Sequence, residues 1–221
     1  MSLKSRAAGS VLVGAALVGA VASCGKSEAV DPAVQHALDS VLTSSEFPAG
    51  YETVDLGKDE NTAISDQLAD SRRDAEVTPE SCKSSADVPS AADTGSAVAV
   101  NGSSTLSQSV AVSDESGVGL AAAVSGECST VTVRLTAGPA KGTTAVITSA
   151  DVQSTSIGGF DGVTFRQVTR TDDVDRSMLI GRFQVNGYLV VVQAATADGS
   201  EPDRASFDQT VKAAVSKTAK A

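Results

Sequence analysis

The 221-residue chain contains no tryptophan, two tyrosines, five phenylalanines and one histidine, His36. So few rings leave little to stack on bases or sugars. Positive charge is also scarce: 17 Lys and Arg stand against 27 Asp and Glu, a formal net charge of −10. Nucleic-acid affinity rests on lysine and arginine neutralising phosphates, so this balance argues against a nucleic-acid partner. Any Ser–His or Cys–His mechanism would have to use His36 as its base, and no Gly-x-Ser-x-Gly motif is present. What the chain has in quantity is apolar content, 41%, which is ample for a packed core and excludes wholesale disorder.

The first residues read as a leader. Lys4 and Arg6 form a basic start, and Ala7 to Ala20 form an uncharged run of small and aliphatic residues. The run suits a secretory h-region and is too short for a membrane-spanning helix. It ends in Val21-Ala22-Ser23-Cys24, which resembles the lipobox of bacterial lipoproteins. In that class the cysteine thiol receives a diacylglyceryl group and becomes the new N-terminus. The alternative is an ordinary cleavage site with a chance cysteine. The expected organisation is a signal peptide over residues 1–23, a lipidated tether over 24–30 and one extracytoplasmic domain over 31–221. Loss of residues 1–23 would leave 15 basic and 27 acidic side chains, a net −12. Such a domain is expected to stand off the bilayer, with the lipid on Cys24 as its membrane partner.

With Cys24 lipidated, Cys82 and Cys128 remain, and an even pair in an exported chain reads as one disulfide. A zinc site would need about four ligands, and His36 is far from both cysteines in sequence.

Along the domain, Asp31-Pro32 reads as an N-cap with proline in the first turn. Val34, Ala37, Leu38, Val41 and Leu42 make one apolar stripe, with His36 off it among Gln35, Asp39 and Ser40, as a solvated residue. Phe47 to Tyr51 ends this helix and leads into a strand at Glu52 to Leu56. A polar helix is expected over Thr62 to Arg73, a helical turn at Thr78-Pro79-Glu80 carrying Cys82, and a loop over Ser84 to Ser96. Strands are expected at 97–100, 105–112, 131–135, 143–152 and 163–168, with a short helix at 118–124. The best hairpin is Met178 to Val185, Asn186-Gly187, Tyr188 to Ala195; it pairs Val185 with Tyr188, Phe183 with Val190 and Leu179 with Ala194. A last helix opens at a capping box of Ser200 and Asp203 and carries Phe207, Val211, Ala214 and Val215 on one stripe, with Lys212, Lys217 and Lys220 toward its end. The fold class is α+β: an antiparallel sheet of about six or seven strands, with the two amphipathic helices packed on one face.

No catalytic, metal or cofactor set emerges. Asp172-Asp173 and Asp175 lack the spacing of a calcium loop and read as a solvated turn. The stretch Ser156 to Gly162 is glycine-rich but has no helix after it, so it cannot cradle phosphate and reads as a turn. The one Ser-x-x-Lys, Ser23 to Lys26, falls inside the lipobox.

Several short motifs together resemble a known group. They are the lipobox, Phe-Pro-x-Gly-Tyr at Phe47 to Tyr51, Thr-Pro-x-x-Cys at Cys82, Ala-Val-Ala-Val at Ala97 to Val100, and Gly-x-Cys leading into Val-Thr-Val at Gly126 to Val133. The chain is similar over about residues 30–219 to an uncharacterised family of actinobacterial cell-envelope lipoproteins. Their extracellular domain is loosely similar to the sensor domains of mycobacterial membrane kinases. Those sensor domains carry two disulfides, whereas this chain can form one. The resemblance implies no catalytic residue.

The expected function is therefore a lipid-anchored envelope protein at the extracytoplasmic face of the cell membrane. It would be non-catalytic and would bind a small ligand, a cell-wall component or another envelope protein. One alternative is a carrier of apolar ligands or lipids, which needs an interior cavity of several hundred Å³. Another is a carboxylate-based hydrolase, which needs a cleft pairing two perturbed acids.

Overall fold

The computed structural model describes residues 30–55, 75–83, 90–137 and 140–221. Residues 1–23, expected as a signal peptide, Cys24, most of the expected tether, the helix expected over Thr62 to Arg73 and the first part of the loop expected after Cys82 lie outside the described residues.

The described elements are α1 (Pro32–Asp39), β1 (Glu52–Val54), β2 (Ala75–Thr78), β3 (Thr94–Asn101), β4 (Ser104–Val112), α2 (Gly117–Ala122), β5 (Thr130–Leu135), β6 (Thr144–Ile157), β7 (Phe160–Thr171), β8 (Val174–Val185), β9 (Tyr188–Thr196) and α3 (Arg204–Thr218). The strands form one antiparallel sheet in the order β1-β3-β4-β9-β8-β7-β6-β5-β2. It has nine strands, not six or seven. β2 is the strand the sequence concealed: its four residues alternate only twice before Pro79, too short a run to carry a period. Pairing supplies what the pattern lacks, setting Val77 against Val133 and Ala75 against Leu135 on β5. Part of the stretch expected as a loop, Thr94 to Ser96, is also strand, paired with Ser109 to Ala111.

The hairpin of β8 and β9 has the expected register. Asn186 and Gly187 take φ of 50° and 88°, the left-handed pair that a two-residue turn matched to strand twist demands. Val185 thus faces Tyr188, Phe183 faces Val190 and Leu179 faces Ala194. Phe183, Val190, Val192, Phe207 and Val211 are buried in one cluster with Leu106, Val110, Ala214 and Val215. Gly181 sits beneath the helix, and a Cβ there would stand 3.2 Å from Val211 and 3.3 Å from Phe207. α1 lies over β3 and β4, and α3 over β4, β8 and β9, both on the same face. The opposite face carries α2, which buries Leu120 and nearby Val124 against Val163, Phe165 and Ile180. There the Arg182 guanidinium stands over the Phe165 ring, 5.6 Å from its centroid.

Two helix starts and ends differ from the sequence pattern. α1 stops at Asp39 rather than running on toward Phe47, and Ser40 caps it with its N–H on the His36 carbonyl. Its buried side is Ala37 and Ser40, whereas Leu38 is exposed. The rotation follows from a close approach: a side chain at Gly95 on β3 would run into Ala37 and Val41. At α3 the N-cap is Asp203 itself, accepting from Ala205 N at 3.0 Å and Ser206 N at 3.4 Å. The spacing of Ser200 to Asp203 was a false box. Thr210 and Thr218 join the buried stripe of α3 by donating their hydroxyls to the carbonyls of Ser206 and Ala214, which removes the cost of burying an unpaired polar group.

Candidate functional site

The 3-10 turns at Glu80–Cys82 and Gly126–Ser129 bring the two cysteines together, with Sγ atoms 2.02 Å and Cα atoms 5.4 Å apart. This is disulfide distance. Ser81 donates to the Glu127 carboxylate at 3.0 Å beside them. Cys82, Glu127 and Cys128 offer three ligand atoms within 4.8 Å, but sulfurs bonded to each other are not thiolates and cannot serve as zinc ligands. The bridge ties the turn after β2 to the turn before β5, at the edge of the sheet.

His36 is not solvated as the helix pattern implied. Its ring stacks on Tyr188, with centroids 4.4 Å apart and planes 19° from parallel, and Nε2 lies 3.1 Å from the Thr218 carbonyl oxygen. It joins three elements, α1, β9 and the last turn of α3. Tyr188 lies directly after the Asn-Gly turn. Nothing in the local pattern of either residue announced the contact, which depends on α1 and α3 sharing a face.

A second clasp holds the same two segments together. Glu46 accepts from Lys217 Nζ at 2.6 Å and from the Thr43 backbone N–H and hydroxyl, each at 2.8 Å. The Lys217 ammonium, seconded by the Thr43 N–H, lowers the Glu46 pKa from 4.5 to about 2. Lys217, expected to favour the α3 dipole, is also a partner for Glu46.

The acidic turn is solvated, as expected. Asp172 and Asp173 link β7 to β8, and Asp175 is held by Arg170 through two contacts of 2.7 Å. That guanidinium lowers the Asp175 pKa. Gly158 and Gly159 form the two-residue turn between β6 and β7, again a turn and not a phosphate loop. Asp151 stands at a bulge between Ala150 and Gln153, where the paired register shifts, and Arg166 reaches it at 3.1 Å.

Sequence reasoning missed Gln108, which is almost fully buried. Its side-chain oxygen accepts from Leu42 N at 2.8 Å, and its nitrogen donates to the Ser40 carbonyl at 3.1 Å. The signal was present: between Leu106 and Val110, both inward, a glutamine at the same parity needs partners. The described residues of the helix side include two shallow concavities. A groove of about 420 Å³ runs between Leu42 to Ser44 and the strands at Thr53 to Asp55 and Ser96 to Val98. One of about 400 Å³ lies between Glu46 and the last turns of α3. Both are open to solvent, and neither pairs carboxylates in the way glycoside cleavage requires.

These features define an α+β protein built on one open antiparallel sheet with three short-to-medium helices among the described residues. No protein-family model matches the chain, and no curated protein matches it. Among solved structures it is similar to the X-ray structure of a putative uncharacterized protein (Rv0999 ortholog) from Mycobacterium smegmatis. The identity is 14%, the match covers 79% of this chain and 92% of that one, and the TM-score is 0.45. At that score the likeness carries no argument about function.

Proposed function

We propose that the chain is a lipid-anchored protein of the extracytoplasmic face of the cell membrane, of the actinobacterial envelope lipoprotein kind, and that it acts as a non-catalytic, sensor-like binding module. The observation that carries this is Val21-Ala22-Ser23-Cys24 at the end of an uncharged h-region. The pairing of Cys82 with Cys128 fits this reading, because disulfides persist in oxidising compartments. The engagement of His36 by Tyr188 and the Thr218 carbonyl supports the non-catalytic part.

The test is mass spectrometry of the protein from the membrane fraction of an expressing host. Diacylglyceryl-modified Cys24 at the mature N-terminus is the expected result, with Cys24→Ala remaining unprocessed. An unmodified Cys24, or an intact Met1 start, would overturn the proposal.

A further inference from the structure

We propose that the corner of the domain formed by the start of α1 and the last turns of α3 lies against the anionic headgroups of the bilayer, with Lys212 and Lys220 as the contacting cations. This rests on the lipid anchor proposed above and replaces the stand-off that the net charge alone implies with a local contact at one corner, where two cations are exposed.

The first ground is reach. Residues 25–30 separate Cys24 from Asp31, the N-cap of α1. Fully extended, that connection spans at most about 25 Å. A twelve-residue strand such as β8 runs about 40 Å, longer than the tether, so the α1 end stays within reach of the bilayer whatever the tilt of the domain.

The second is what the fold places at that end. α1 packs on the turn Ala91–Asp93 that leads into β3. His36 holds it to the first residue of β9 and to the Thr218 carbonyl. The C-terminus of α3 is therefore fastened beside the start of the tether.

The third is charge. Residues 209–221 carry Lys212, Lys217 and Lys220 and no carboxylate side chain, in a mature chain of net −12. Glu46 takes Lys217, whereas Lys212 and Lys220 are exposed. α1 and the turn it packs on contribute three carboxylates, Asp31, Asp39 and Asp93, so the contact is made by α3 and not by α1. Asp114 and Glu115 head for the other face, where Gln184 donates to the Ser113 carbonyl and α2 packs. The acidic turns at Asp172-Asp173 and at Asp198 to Asp203 lie at the far ends of β8 and β9. Two exposed valines complete the corner: Val30, 54% exposed and directly before the N-cap of α1, and Val112, 48% exposed and paired with Tyr188. Cations flanked by exposed aliphatic side chains suit the headgroup boundary.

Because the chain has no tryptophan, a single introduced one is a clean reporter. The lipidated protein carrying Ser216→Trp, on α3, or Ser103→Trp, at the opposite end of the strands, is reconstituted in vesicles of phosphatidylcholine with or without phosphatidylglycerol. Quenching by a headgroup-spin-labelled lipid is then read, with flotation as the control for anchoring. The expected result is quenching of the Ser216→Trp reporter that exceeds that of Ser103→Trp and grows with phosphatidylglycerol. The Lys212→Glu, Lys220→Glu pair should weaken it, by roughly fivefold in bound population for each cation lost. Equal quenching of both reporters on protein that floats overturns the proposal and leaves the anchor standing. Protein that does not float overturns the anchor, and this inference with it.

Discussion

The side-chain oxygen of Gln108 accepts the backbone N–H of Leu42 across 66 residues of sequence, at 2.8 Å and out of contact with water. The same amide donates to the Ser40 carbonyl, so one strand residue satisfies the buried backbone groups left open where α1 ends. Replacing it with leucine strands a buried donor and a buried acceptor, at about 1–3 kcal/mol each. Gln108→Leu is therefore expected to cost about 2–6 kcal/mol in chemical denaturation. Gln193→Leu, at a half-buried position on the other face of β9, should stay within about 0.5 kcal/mol. Equal costs would refute the role of the bridge.

Phe207 has no exposed surface and packs over Gly181. Phe207→Ala should cost about 3–5 kcal/mol, read as a lowered denaturation midpoint with an unchanged slope. A variant that melts like the parent would overturn the packing of α3 on the hairpin.

Gly162 on β7 faces Phe183 on β8, and a Cβ there would collide with the Arg182 carbonyl and the Phe183 ring. Gly162→Ala should cost about 1–3 kcal/mol through overpacking. Gly199→Ala is the contrast: its φ of 78° is strained for alanine, but nothing crowds the site. A Phe183→Leu background, which trims the ring, should relieve part of the Gly162→Ala loss and none of the Gly199→Ala loss.

Stability should depend on acid through Glu46. Its folded pKa, about 2, is below its ordinary 4.5, so the unfolded chain binds the proton more readily. The contribution is complete above about pH 4.5 and disappears as pH falls toward 2. The carboxylate is about a third exposed, which limits the effect to less than about 1 kcal/mol. Asp198, held by the Ser200 hydroxyl and N–H and by Ser103, is also lowered to about 2 and titrates in the same window. The informative quantity is thus the difference between parent and Glu46→Gln, expected to shrink as pH drops from about 5 to 2. A difference that is constant with pH would remove the ion pair as its cause.

Reduction of the Cys82–Cys128 pair should lower stability by about 2–4 kcal/mol, since the bridge closes a loop of 46 residues. Thermal unfolding with and without a dithiol reductant measures this, and Cys82→Ser, Cys128→Ser should abolish the difference. Insensitivity of the parent to reductant would show that the pair is not joined.

What the sequence disclosed followed how local each instruction was. Asn186-Gly187 sets a register by itself, and the alternation from Phe183 to Val192 then determines which side chains meet α3. The limits of α1 were hidden because they depend on Gly95 and Gln108, which reach it only through the sheet. β2 was hidden for a similar reason: Ala75 to Thr78 is a strand because β5 is beside it. Among the site residues, Cys82 and Cys128 were legible once Cys24 was assigned to the lipobox, since the two cysteines that remain have one pairing. His36 was not, because its partners Tyr188 and Thr218 arrive from the far end of the chain.

The strand order has a consequence for how this protein comes to be folded. β9 lies between β4 and β8, and the other strands fall into two blocks on either side of it. Until the ladder from Val112–Tyr188 to Ser104–Thr196 closes, the block containing β4 presents an unpaired edge lined by Leu106 and Val110. That edge must wait for a segment made some eighty residues later. Such non-local closure slows folding and leaves a strand edge open to other chains. Substitutions that weaken β9 should therefore first appear as aggregation during refolding, before they appear as a lowered melting temperature.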